Sequence, residues 1–171
     1  HQLWYAAAIA MLDDAALNAQ IHTFLDALHA GAMRVRKSGI ISHLFYSSSV
    51  KGRLLRLRYR LAEFRNHTAV TTKEVGYHLY NLHPLARLKG HFPKHPIFQS
   101  SVIQSALDTA FSDEFLTQLD GNKYAYPYNA PAFDYPLIER VFQHQNAASS
   151  RAWDKQLGET YDDDVTGFTR N

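Results

Sequence analysis

Apolar residues recur at helical spacing in the first thirty positions: Leu17, Ile21, Phe24 and Leu28 fall at i, i+4, i+7 and i+11. One continuous stripe of this kind predicts a helix over 3–30, stopped by Gly31, with Ile21 and Phe24 in the core. Residues 38–50, SGIISHLFYSSSV, are richer in β-branched and aromatic types and end in a serine cluster. They predict a short β element near residues 40–47 and then a loop. Residues 51–66, KGRLLRLRYRLAEFRN, fit two periods. As a helix they align Leu54, Leu57, Leu61 and Phe64, with Arg53, Arg56 and Arg60 on one flank and Arg58 and Arg65 on the other. As a strand, leucine and arginine alternate. Length and the helix propensity of Leu and Arg favour the helix.

Beyond this segment, Thr71 or Thr72 can cap a helix that runs to a break at His83–Pro84. Pro84 then suits the first position of a second short helix holding Leu85, Arg87, Leu88 and Lys89. Two short helices across a tight break resemble a helix-turn-helix. Ser100 or Ser101 can cap a helix burying Val102, Ile103, Leu107, Ala110 and Phe111. A further segment with Phe115, Leu116 and Leu119 ends at Gly121. Three prolines among aromatics predict an extended, polyproline-like crossing over 123–138. After Gln145 the chain turns polar and closes on Asp162, Asp163 and Asp164. The expected architecture is therefore mainly α: one compact helical domain over 1–145 and a polar, acidic C-terminal arm over 146–171.

The chain has 171 residues, 46% of them apolar, which suits one domain with a real core and excludes a disordered or collagen-like polymer. Without cysteine there is no disulfide, thiolate metal site or cysteine nucleophile. The longest nearly apolar run, Leu3 to Leu12, is too short to span a bilayer and lacks a basic flank, so the expectation is a cytoplasmic protein without a membrane partner. A start at His1 rather than Met suits a trimmed or excised piece.

Charge is strongly segregated. Residues 51–95 hold ten Lys/Arg against Glu63 and Glu74, a net +8, whereas residues 96–171 carry a net −6. This pattern marks either a polyanion-facing region or two regions that neutralise each other within the fold. The sequence expectation is nucleic-acid binding, DNA foremost, through phosphate contacts from Arg53, Arg56, Arg58, Arg60, Arg65, Arg87 and Lys89. The alternative is a protein-interaction module whose basic helix docks an acidic partner, including the acidic region of a second copy. A homo-oligomer through apolar helix faces fits either reading.

Enzyme chemistry finds less support. Gly90 to Ala110, GHFPKHPIFQSSVIQSALDTA, resembles the motif of hotdog-fold hydroxyacyl-carrier-protein dehydratases, in which a GHFP segment precedes the central helix. The resemblance covers 21 residues and implies an acyl-thioester dehydratase with His91 as catalytic histidine. Ser105 stands where that family has its acidic partner, with Asp108 one turn later, and the following segments lack the strands a hotdog sheet needs. His22, Asp26 and His29 share a helix edge at i, i+4 and i+7, a spacing that could grip a divalent metal but lacks a fourth ligand. His67, His78, His83, His91 and His95 cluster in sequence, but Pro93 breaks the helical spacing of His91 and His95 and there is no cysteine. Asp134 and Glu139 form a carboxylate pair with no base placed beside them by the sequence. No P-loop, nucleophile elbow or dinucleotide fingerprint is present. The expectation is therefore no metal, no cofactor and no assigned catalytic residue.

Overall fold

Helix α5, His78–His91, is the element around which the rest is arranged. Its Leu79, Leu82, Leu85, Ala86 and Leu88 are buried, enclosed by α1 (Gln2–Ala10) on one side and α8 (Tyr135–Phe142) on the other. A computed structural model describes residues 1–42, 50–144, 147–162 and 167–168, and these are mainly α-helical. The remaining helices are α2 (Ala15–Ala27), α3 (Val50–Arg65), α4 (His67–Gly76), α6 (Ser101–Ala110), α7 (Asp113–Leu119) and α9 (Ala148–Thr160). Two-residue strands, β1 (Tyr161–Asp162) and β2 (Gly167–Phe168), pair antiparallel. Among the described residues no helix is long and apolar enough to cross a membrane.

Caps explain most of the boundaries. The helix expected over 3–30 is broken, because Asp13 takes a left-handed conformation (φ 50°) and the Asp14 carboxylate accepts from the Ala16 and Leu17 amides, both at 2.9 Å. That satisfies two of the amide donors a helix start leaves unpaired. Ile21 and Leu28 of the expected stripe are buried, but Phe24 is only half-buried. Asn66 caps α4 through the Ala69 amide (3.1 Å), Ser100 caps α6 through that of Ile103 (3.4 Å), and Ser112 caps α7 through that of Phe115 (3.2 Å).

The expected break at His83–Pro84 lies instead at Tyr77, and Pro84 sits inside α5. A proline there cannot donate to the carbonyl four residues earlier, that of Tyr80. The Trp4 indole of α1 supplies the missing donor, its Nε1–H reaching the Tyr80 carbonyl at 3.1 Å. A helix-turn-helix is therefore not formed. Residues 123–138 are not an extended crossing either: they make turns, a 3₁₀ turn at Pro131–Phe133 and the start of α8. Asn129 fastens them by donating to the carbonyls of Gly76 (2.9 Å) and Tyr124 (2.6 Å).

Near the expected β element, Val35 and Ile41 form one antiparallel bridge. Residues 43–49 lie outside the described part. Where an arm was expected, residues 148–160 form α9, whose Ala148, Ala152 and Gln156 are buried and whose Trp153 meets the Phe133 ring edge-on.

Candidate functional site

One face of α5 builds a polar and aromatic surface while the other faces the core. From Tyr77, at the helix start, Tyr80, His83 and Arg87 follow in steps of three, three and four residues, so each side chain neighbours the next along the helix surface. Trp4 lies over this face, its ring stacked on His83 (centroids 4.9 Å) and tilted against Tyr80 (5.2 Å). Tyr77 continues the wall to Tyr80 (5.5 Å), Tyr128 (6.0 Å) and Tyr124 (6.1 Å). Tyr128 is exposed, whereas Trp4, Tyr77, Tyr80 and Tyr124 are half-buried, so the wall is open to solvent along part of its length.

Asp134 closes the wall at the start of α8. The residue is buried, and its Oδ1 lies 2.8 Å from His83 Nδ1, off the line of a good hydrogen bond. Arg87 Nε donates to the other ring nitrogen of His83, Nε2, at 2.9 Å. A nitrogen that accepts carries no proton, so the network assigns the neutral ring's proton to Nδ1, facing the carboxylate. Asp134 Oδ2 is buried and has no hydrogen-bond partner among the described residues. Such an oxygen is costly unless something supplies a donor. Burial raises the Asp134 pKa above the ordinary carboxylate value, and the contact with His83 opposes that rise without cancelling it. Burial, with the nearby Asp134 charge, also pushes the Tyr80 phenol up.

Of the residues expected to bind phosphate, five lie on α3 and two on α5. Arg53, Arg58, Arg60 and Arg65 are exposed on α3, and Arg56 is half-buried there. Arg87 is engaged with His83, and the Lys89 ammonium lies over the Phe142 ring at 4.3 Å, its pKa lowered by burial. The Arg36–Glu74 ion pair does not offset the basic segment, since Glu74 is one of that segment's two carboxylates and is taken up by an arginine from outside it. Glu74 is fully buried, and its other oxygen accepts from the Tyr59 hydroxyl at 2.8 Å.

The other candidates are dispersed. His91 is exposed at the end of α5, whereas Ser105 and Asp108 line a cleft of about 290 Å³ with Lys37 and Thr109. The hotdog pairing is thus not assembled, and the helical fold is not a hotdog. His78 is fully buried between the Ile41 amide (3.1 Å) and the Ala106 carbonyl (2.9 Å), a structural position. His22 packs edge-on to Phe92, while Asp26 pairs with His95 at 3.2 Å. Among the described residues no group of three or more His, Asp or Glu is arranged to hold a metal ion.

Sequence reasoning noted Asp134 but not its partner. His83 is 51 positions away, and Trp4 a further 79. The available signal was the spacing of Tyr77, Tyr80, His83 and Arg87, together with the aromatics around Asp134.

No family model and no solved structure matches the chain. Archaeal glycosylation protein Q of Haloferax volcanii is 26% identical over 191 aligned positions, which take in 99% of this chain and 50% of that protein. The chain thus spans about half the length of this relative. A relative named for glycosylation along nearly the whole chain overturns the expectation of a nucleic-acid partner, and with it the DNA-binding role drawn from the basic segment. Local charge density does not by itself identify a partner: Arg53, Arg58, Arg60 and Arg65 are exposed on α3, whereas Arg87 and Lys89 are engaged with His83 and Phe142.

Proposed function

We propose that this chain is a carbohydrate-handling unit of a glycosylation protein, holding a sugar against the Trp4–Tyr80 wall with its hydroxyls directed at Asp134. A pyranose has an apolar C–H face and a polar rim, so it needs an aromatic surface beside fixed hydrogen-bond acceptors. The observation that carries the reading is the buried, unsatisfied Oδ2 of Asp134 at the edge of that wall. Turning of the Asp134 carboxylate toward the wall would bring this oxygen to a sugar hydroxyl, whose donated hydrogen bond would relieve the desolvation cost. The same carboxyl, raised by burial and oriented by His83, suits proton exchange with a bound hydroxyl. The glycosylation name of the relative supports the ligand class.

The test is a fluorescence titration of Trp4 in a Trp153→Phe background, since the chain has two tryptophans. The probes are neutral and acidic monosaccharides and short oligosaccharides. At least one should give a saturable change. Asp134→Asn should weaken that response by about tenfold or more, the scale of a lost charge-assisted hydrogen bond, with the helical circular-dichroism signal retained. No saturable response to any sugar, or equal affinity in Asp134→Asn, would overturn the proposal.

A further inference from the structure

Helix α3 carries an apolar stripe that faces away from the protein. Val50, Leu54, Leu57, Leu61 and Phe64 follow the i, i+4, i+7, i+11, i+14 spacing of a single line on the helix surface. They are 82, 59, 56, 53 and 90% exposed. The opposite side is the one attached: Tyr59 reaches Glu74 of α4, while Gly52 and Arg56, on the same side, are half-buried. Exposed cations border the stripe on both sides, with Lys51, Arg58 and Arg65 at seven-residue intervals on one flank and Arg53 and Arg60 on the other. The helix holds six Lys/Arg and a single Glu.

We infer that α3 lies flat on an anionic lipid surface, its leucine and phenylalanine stripe at the acyl boundary and its two cationic flanks among the headgroups. A lipid leaflet is complementary to this arrangement, because it accepts an apolar ridge and surrounds it with negative charge on both sides. The arginines can reach outward to headgroup phosphates while their stems cover apolar surface. At 16 residues the helix is about 24 Å long, enough to lie in the interface and too short to cross it. A second copy fits less well, since pairing two such faces would set cationic flank against cationic flank. The inference replaces the expectation of no membrane partner and is independent of the sugar site.

The test is sedimentation of the full chain with vesicles of phosphatidylcholine alone and of phosphatidylcholine with about 30% phosphatidylglycerol, a composition that gives the surface its negative potential. The chain should pellet with the anionic vesicles, much less with the neutral ones, and lose binding as salt rises. Removing three flank charges together (Arg53→Gln, Arg58→Gln, Arg60→Gln) should weaken partitioning on the order of a hundredfold. Leu57→Gln with Leu61→Gln should abolish it while the helical spectrum stays intact. Phe64→Trp supplies a readout that does not depend on deleting anything: measured as the difference from the wild type, which shares Trp4 and Trp153, the added emission should shift to the blue on anionic vesicles and be quenched by brominated acyl chains. Absence of binding to anionic vesicles would overturn the inference. So would equal binding by all variants, or a concentration-dependent dimer that buries the introduced indole without lipid.

Discussion

Helices α5 and α3 draw on the same residue types and end in opposite surroundings. Both carry leucines at helical spacing among basic residues, yet eight of the fourteen α5 residues are buried and no described side chain of α3 is. On α5 the apolar positions widen into a face completed by Pro84 and Ala86, and two helices close over it. On α3 they form a narrow line that the fold leaves outside, while the Tyr59–Glu74 contact holds the other side. Periodicity thus reveals that a helix has an apolar face but does not say whether the protein itself covers it.

The largest effect should separate the two helices directly. Leu82→Ala on α5 removes a fully buried side chain and should cost about 2–5 kcal/mol, read as a fall in the urea midpoint. A cost below about 1 kcal/mol would show that the α5 face is not closed.

A second effect, of up to about 3 kcal/mol, concerns pH. Burial pushes the His78 pKa down to about 4 from the 6.5 of an unfolded histidine. Below pH 6.5 the unfolded chain takes up a proton that the folded chain refuses until about pH 4. Its contribution is therefore complete above 6.5 and is lost as pH falls from 6.5 to 4. Urea midpoints measured across that window should drop in the wild type and drop less in His78→Gln.

Gly76→Ala should cost about 1–3 kcal/mol. A Cβ there would lie 2.5 Å from the Tyr124 Cβ and 2.7–2.8 Å from that residue's backbone, which cannot swing away as a flexible side chain would. The same variant should disturb the tyrosine wall, visible as a changed near-ultraviolet circular-dichroism signal. The smallest effect belongs to α3: Leu61→Ala should shift stability by no more than about 0.5 kcal/mol. A loss comparable to that of Leu82→Ala would erase the contrast between the helices.

The helical class was legible because apolar spacing and caps such as Ser100 are local signals. Boundaries that depend on distant partners were not. The apolar run on both sides of Asp13 and Asp14 hid a break that the Asp14 cap creates. Pro84 read as a helix start because nothing nearby announces that Trp4 will take the carbonyl it leaves unpaired. The prolines near Asp134 suggested an extended segment, whereas Asn129 folds that segment back onto Gly76. The candidate site combines α1, α5, the 120–130 segment and α8, so its residues carry no shared sequence motif. The basic residues of α3 were legible as a cationic surface, but their partner was misread.

The Trp4–Tyr80 hydrogen bond joins positions 76 residues apart. During synthesis the first helix therefore waits through almost half of the chain before its indole has an acceptor. The aromatic wall is absent from any nascent or truncated chain that stops short of α5, and it is lost from any product clipped within α1. Assembly of the wall should consequently be a late event, with Trp4 emission changing after most of the helical signal has formed in a refolding experiment.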